Sequence, residues 1–212
     1  MMHRRLTSFL VAAIIMLPLS ARTASDFFIN APASVIPLLD KNTRLDMIDY
    51  FTGGLSTASR NVLNGNSRIL INENNKIEIA LSRESTLQIA VVELKKDTIL
   101  AVIETVNIPV ADSSLRFYNS DWVPLPQQAP QLTVVDFVAS DKKAQANALL
   151  MPRMAFVKID YNPNSGVFSF INTTADYYTD KDRPEGLELM RPHIDMIFDG
   201  KKLLETKPTK GK

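Results

Sequence analysis

The stretch "KIEIALSRESTLQIAVVELKKDTILAVIETVNI" (residues 76–108) decides the fold. Ile77, Ile79 and Leu81 alternate with polar neighbours, and beyond the polar break at 83–85 so do Leu87, Ile89 and Val91. Period two marks strands that lay one face on a core. Residues 99–108 are apolar on both faces over much of their length, which predicts a central strand covered on both sides. The links between these runs are short and polar. They predict antiparallel pairing, because a parallel return needs a crossover of about a dozen residues or more.

The same period extends outward. Ile69 and Ile71 precede a turn at "NENN" (72–75), and Leu115 and Phe117 follow the central run. Further on, 154–161 and 167–171 read as a hairpin across "NPNSG", and Ile194, Met196 and Phe198 alternate into the tight-turn pair Asp199-Gly200. Helical signals interrupt these strands. Thr43 and Asp46 have capping-box spacing, with Leu45, Ile48, Tyr50 and Phe51 as the apolar stripe and Gly53-Gly54 as the stop. Thr133 and Asp136 repeat that spacing, and Asp182 is placed as the cap of a helix over 183–190, stopped by Pro192. Residues 123–130 hold three prolines and form a break, and 140–147 fit either helix or exposed loop. The fold class is α+β, a mainly antiparallel sheet with about three short helices. The order helix–strands, helix–strands is compatible with two similar halves.

The N-terminus reads as an export leader. Arg4 and Arg5 precede the apolar run "FLVAAIIMLPL" (9–19), which has the length of a leader core and falls short of the roughly 20 residues of a membrane span. The division is a signal peptide over 1–24, one α+β domain over 25–205 and a flexible tail over 206–212. Arg22 stands three residues from that cut, where a small residue is favoured. The protein is therefore expected to be exported, periplasmic or associated with the cell envelope, with no transmembrane segment in the mature chain. It has no cysteine, so its core alone must hold it together. Loss of Arg4, Arg5 and Arg22 takes the net charge from +1 to about −2, which gives no general attraction to nucleic acid.

Candidate chemistry is sparse. His193 is the single histidine beyond the leader, so neither a Cys/His zinc site nor a well-placed Ser-His-Asp triad can be read. The "DKDRPEG" segment (180–186) fails as a calcium loop because Pro184 and Arg191 occupy ligand positions. No GxGxxG, P-loop or G-x-S-x-G pattern is present. No metal, cofactor or catalytic residue is assigned. Carboxylate chemistry is the remaining enzymatic route, with Glu78, Glu93, Glu104, Asp112, Asp121, Asp160 and Asp176 as nominal candidates. Glu104 interrupts an apolar strand, and a partnership with Arg116 on the neighbouring strand explains it better than catalysis does.

Three segments taken together, "KNTRLDMIDYF" (41–51), "DSSLRFYNSDWVPL" (112–125) and "YYTDKDRPEGLELMRPHI" (177–194), resemble a secreted Bacteroidales family of unknown function. The resemblance spans most of the chain beyond the leader and implies an exported protein. It implies no activity. The function read from the sequence is a non-enzymatic binding or structural domain of the cell envelope with an unidentified protein or glycan partner. The alternative is a carboxylate-dependent glycan hydrolase. Candidate binding residues are Arg116, Tyr118, Trp122, Tyr161, Tyr177 and Tyr178, because aromatic rings near turns offer apolar faces to sugars and protein partners. Within 113–126, Arg116 and Tyr118 are expected to be exposed, and Trp122 to fold over the sheet edge as a plug.

Overall fold

The computed structural model describes residues 22–206, apart from 56, 96 and 139–153. The bulk of the expected leader, the 140–147 stretch and the tail from 207 lie outside the described residues. Seven strands follow one another in a single antiparallel meander: β1 (Ser59–Arg60), β2 (Asn66–Glu73), β3 (Lys76–Ala80), β4 (Ser85–Glu93), β5 (Thr98–Val106), β6 (Asp112–Asn119) and β7 (Pro124–Gln128). A second meander of four, β8 (Val157–Asn162), β9 (Val167–Asn172), β10 (His193–Phe198) and β11 (Leu203–Glu205), is likewise antiparallel throughout. Among the described residues, two α-helices, α1 (Ala24–Asn30) and α2 (Lys41–Thr52), accompany the strands.

The alternation sorts the large sheet's side chains onto two cores. Ile77, Ile79, Leu87, Ile89, Val91, Leu100 and Val102 face the helices, where they meet Phe27, Phe28, Leu39 and Met47. Ala90, Val92, Ile99, Ala101, Ile103, Leu115 and Phe117 face the other way, onto Ile159, Phe168, Phe170, Ile194, Met196 and Phe198 of the small sheet. β5 is thus the central, two-sided strand that its apolar run predicts, and β4, which reads as a one-faced alternating strand, is buried on both faces as well. The layers are helices, large sheet, small sheet.

Polar side chains replace a neighbouring strand along the edge of the small sheet. The outward backbone N–H groups of β8 at Val157, Ile159 and Tyr161 donate to Asp112 Oδ1, Ser113 Oγ and Gln88 Oε1 of the large sheet, at 3.0, 2.9 and 3.0 Å. Lys76 Nζ adds bonds to Asp160 Oδ1 (2.8 Å) and the Tyr161 carbonyl (2.9 Å). An otherwise open edge is closed without a further strand.

The helices depart from the sequence reading. α1 lies in a stretch to which the sequence reading assigns no helix. It is seven residues long and is held by a capping box in which Thr23 and Asp26 bond each other's backbone amides. α2 is capped by Asp40 rather than by Thr43, whose N–H donates to the Asp40 carboxylate. Its buried side chains are Arg44 and Met47, while Leu45, Tyr50 and Phe51 of the expected stripe are partly exposed. Among the described residues there are two α-helices, not three. The Thr133–Asp136 capping box forms but introduces only a 3-10 turn, Val134–Phe137. The helix expected over 183–190 is a 3-10 turn, Leu187–Leu189, entered through Gly186, and Asp182 accepts from the Thr179 hydroxyl instead of capping it.

Candidate functional site

The six candidate residues do not form one patch. Tyr118 is 5% exposed and points into the helix-side core, so the expectation that it is exposed fails. Leu115 and Phe117 take the small-sheet face, which sends Tyr118 to a face that α1 covers. Tyr161, 3% exposed, packs on Phe168 between the sheets. Neither ring is open to a ligand.

Trp122 is the expected plug, reached by an unexpected route. Asn119 Oδ1 accepts the N–H groups of Asp121 and Val123, and this turn holds Trp122 at φ +63°. The left-handed turn returns the indole to the same side as Tyr118, edge-on to it at 5.6 Å and to Phe27 at 6.4 Å. Arg116 is exposed on β6 and pairs with Glu104 of β5, as the strand neighbourhood suggests. It also lines a groove of about 700 Å³ bounded by Gln128–Thr133 and β8.

Tyr177 and Tyr178 remain. Tyr177 is 50% exposed, stacks on Phe156 at 5.1 Å with 30° between the rings, and meets Tyr178 edge-on at 5.3 Å. Two buried threonines fix this trio. The Thr173 N–H donates to the Phe156 carbonyl, and the Phe156 N–H donates to Thr174 Oγ1, both at 3.0 Å. Thr173 Oγ1 donates to the Ala111 carbonyl at 2.6 Å, tying the segment to the start of β6. The 3-10 turn Thr174–Tyr177 then projects the ring from a rigid base. Sequence reasoning named both tyrosines and missed Phe156, because it belongs to an apolar run in which only the stacking partner sets it apart.

Among the carboxylates, Glu78 and Asp160 converge. Both accept from Gln88 Nε2, at 3.4 and 2.9 Å. Burial pushes the Asp160 carboxyl up. Hydrogen bonds from Lys76 and Gln88, with the charges of Lys76 and Lys158, more than offset this and hold it below its ordinary value. A general acid for glycoside cleavage needs the opposite displacement. Asp112 is occupied by the Val157 N–H, and Glu104 by Arg116. Among the described residues, no three His, Cys, Asp or Glu side chains are grouped to hold a metal.

Fold and site together define a three-layer α+β protein of two antiparallel meanders that displays a backed aromatic face. The chain belongs to a family of proteins of unknown function, DUF3256, whose model matches residues 16–199. The resemblance drawn from the sequence therefore holds at the level of a family without assigned activity. A domain of an uncharacterized protein from Porphyromonas gingivalis is similar in fold, with a TM-score of 0.69 and 20% identity over 88% of this chain and 99% of that one. No curated protein matches the sequence. Among the described residues, no helix is long and apolar enough to cross a membrane.

Proposed function

We propose that this chain is an exported, non-enzymatic binding domain of the cell envelope that takes a sugar ring of a glycan on the open face of Tyr177. The observation that carries the reading is the trio itself: a half-exposed tyrosine backed by Phe156, flanked by Tyr178 and pinned through Thr173 and Thr174. A ring held in place before binding loses little conformational freedom on contact, which is how a small aromatic surface gains affinity. Its apolar face suits the C–H face of a sugar. The exposed carboxylates of Asp176, just before the platform, and of Asp180 and Asp182, just after it, offer acceptors for hydroxyl groups. Export is supported by the basic start and short apolar core of the N-terminus. The hydrolase alternative lacks support at the one place where two carboxylates converge, because Asp160 beside Glu78 is held below its ordinary value and an acid catalyst needs one that is raised.

A glycan array probed with the exported chain, followed by titration of the best binder, tests the reading. Tyr177→Ala should weaken binding at least about tenfold, since an aromatic anchor contributes about 1.4 kcal/mol or more, and should leave the unfolding midpoint near wild type. Binding that survives Tyr177→Ala would remove the platform from the account. Silence on the array, with capture of an envelope protein through Tyr177, would assign the face to a protein partner instead.

A further inference from the structure

Residues 22–24 are built into the fold. The Arg22 guanidinium lies 4.1 Å from the centre of the Phe27 ring and donates to the Ser120 carbonyl at 3.2 Å. Thr23 is the N-cap of α1, in a reciprocal capping box with Asp26. Ala24 is fully buried, and its N–H donates to the Asn74 carbonyl in the β2–β3 turn at 2.7 Å. Three consecutive residues thus join α1 to two different turns of the large sheet.

Accepting that the chain is exported on a cleaved leader, we infer that signal peptidase cuts between Ala21 and Arg22, so that Arg22 is the first residue of the mature protein. A cut after Ala24 would discard the cap of α1 and leave the Asn74 carbonyl without its donor. It would also place a new ammonium group at Ser25, in the first turn of a helix whose N-terminal end already carries positive character. The sequence around the scissile bond agrees independently. Cleavage after Ala21 puts a small residue next to the bond and Leu19 two places before it, larger than the residue favoured there but uncharged, whereas cleavage after Ala24 puts long, charged Arg22 in that position. The apolar run ends at Leu19, so only Ser20 and Ala21 lie between it and the proposed cut.

The full chain, expressed with its leader in a Gram-negative host, supplies the test through the N-terminal sequence and intact mass of the exported product. The expected product begins Arg-Thr-Ala-Ser, with residues 1–21 lost. Ala21→Tyr should abolish processing and leave Met1 in place, because a large residue beside the bond blocks cleavage. A product beginning at Ser25, or normal processing of Ala21→Tyr, overturns the inference while export stands. A full-length chain held in the membrane fraction overturns it in favour of an uncleaved anchor. A full-length chain left in the cytoplasm overturns the export reading itself, and this inference with it.

Discussion

The Gln88 side-chain carbonyl accepts the Tyr161 N–H at 3.0 Å, across the gap between the two sheets. The same amide donates from Nε2 to Asp160 at 2.9 Å, so one side chain satisfies two groups of β8. With Asp112, Ser113 and Lys76 it forms a polar seam along an otherwise apolar interface. Apolar contact alone leaves strand register across two sheets weakly defined, whereas a row of bonds to alternate backbone amides allows one register.

Gln88→Leu keeps the volume roughly constant and removes the acceptor. The buried Tyr161 N–H is then unpaired, at a cost of about 1–3 kcal/mol. Urea unfolding should show a lower midpoint at unchanged slope. Gln88→Glu retains an acceptor but sets a third carboxylate beside Glu78 and Asp160, so it should be destabilised at neutral pH and recover as the pH falls. Equal stability of both variants and wild type at pH 7 would show that the seam contributes nothing.

Asp160 gives the seam a pH dependence of definite sign. Its carboxyl is held below its ordinary value despite burial, chiefly by bonds from Lys76 and Gln88. A depressed carboxyl contributes fully above the unfolded value of about 3.9, and that contribution is lost as the pH falls through the folded value. The gap in stability between wild type and Asp160→Asn should therefore be largest at neutral pH and narrow below about pH 4. The Asp160 side chain is 42% exposed, so solvent screening keeps the gap within about 1 kcal/mol. A gap that is constant between pH 7 and pH 3 would contradict the assignment.

The strands were legible because period two is local: Ile77, Ile79, Leu87 and Ile89 declare their face without reference to anything distant. The seam was not. Lys76 and Gln88 read as ordinary polar strand positions, and their partners lie 84 and 73 residues away. Helix signals overstated what followed. The Thr133–Asp136 box forms as read, but a cap starts a turn without fixing how far it continues, and here it ends at Phe137. α1 escaped notice although its buried Ala24, Phe27, Phe28 and Ala31 fall at i, i+3, i+4 and i+7, because the helix is only seven residues long and its first turn straddles the expected leader cut. In the candidate site, Tyr177 and Tyr178 were legible as aromatics near a turn. Tyr118 and Tyr161 looked equivalent, and only tertiary packing separates this buried pair from half-exposed Tyr177 and partly buried Tyr178.

Arg44 is the buried cation of α2, 4% exposed, and its work is to finish α1. Nη1 donates to the carbonyls of Phe28 and Ala31, each at 2.8 Å, and Nε donates to the Asp40 carbonyl. A seven-residue helix is marginal without such support. Arg44→Ala strips donors from these carbonyls and opens a void, and should cost about 3 kcal/mol or more in equilibrium unfolding. Arg44→Lys keeps the charge but cannot span the same acceptors, so it should fall between wild type and alanine. An Arg44→Ala variant within about 0.5 kcal/mol of wild type would mean that α1 docks through its phenylalanines alone.

Trp122 combines two opposed contributions. Its ring packs edge-on against Phe27 and Tyr118, which is stabilising, while its backbone at φ +63° is strained for a bulky residue. Both Trp122→Ala and Trp122→Gly delete the ring, and each should destabilise by about 3–5 kcal/mol at most, reduced because the residue is only half-buried. They differ in the backbone. Alanine keeps the left-handed penalty of about 1–2 kcal/mol and glycine does not. The usual order is thereby reversed, with Trp122→Gly the more stable of the two by about 1 kcal/mol, because glycine's extra freedom in the unfolded chain offsets part of the relief. Paired thermal melts would check the order. Alanine more stable than glycine would mean that the Asn119 turn relaxes out of the left-handed conformation once the indole is gone.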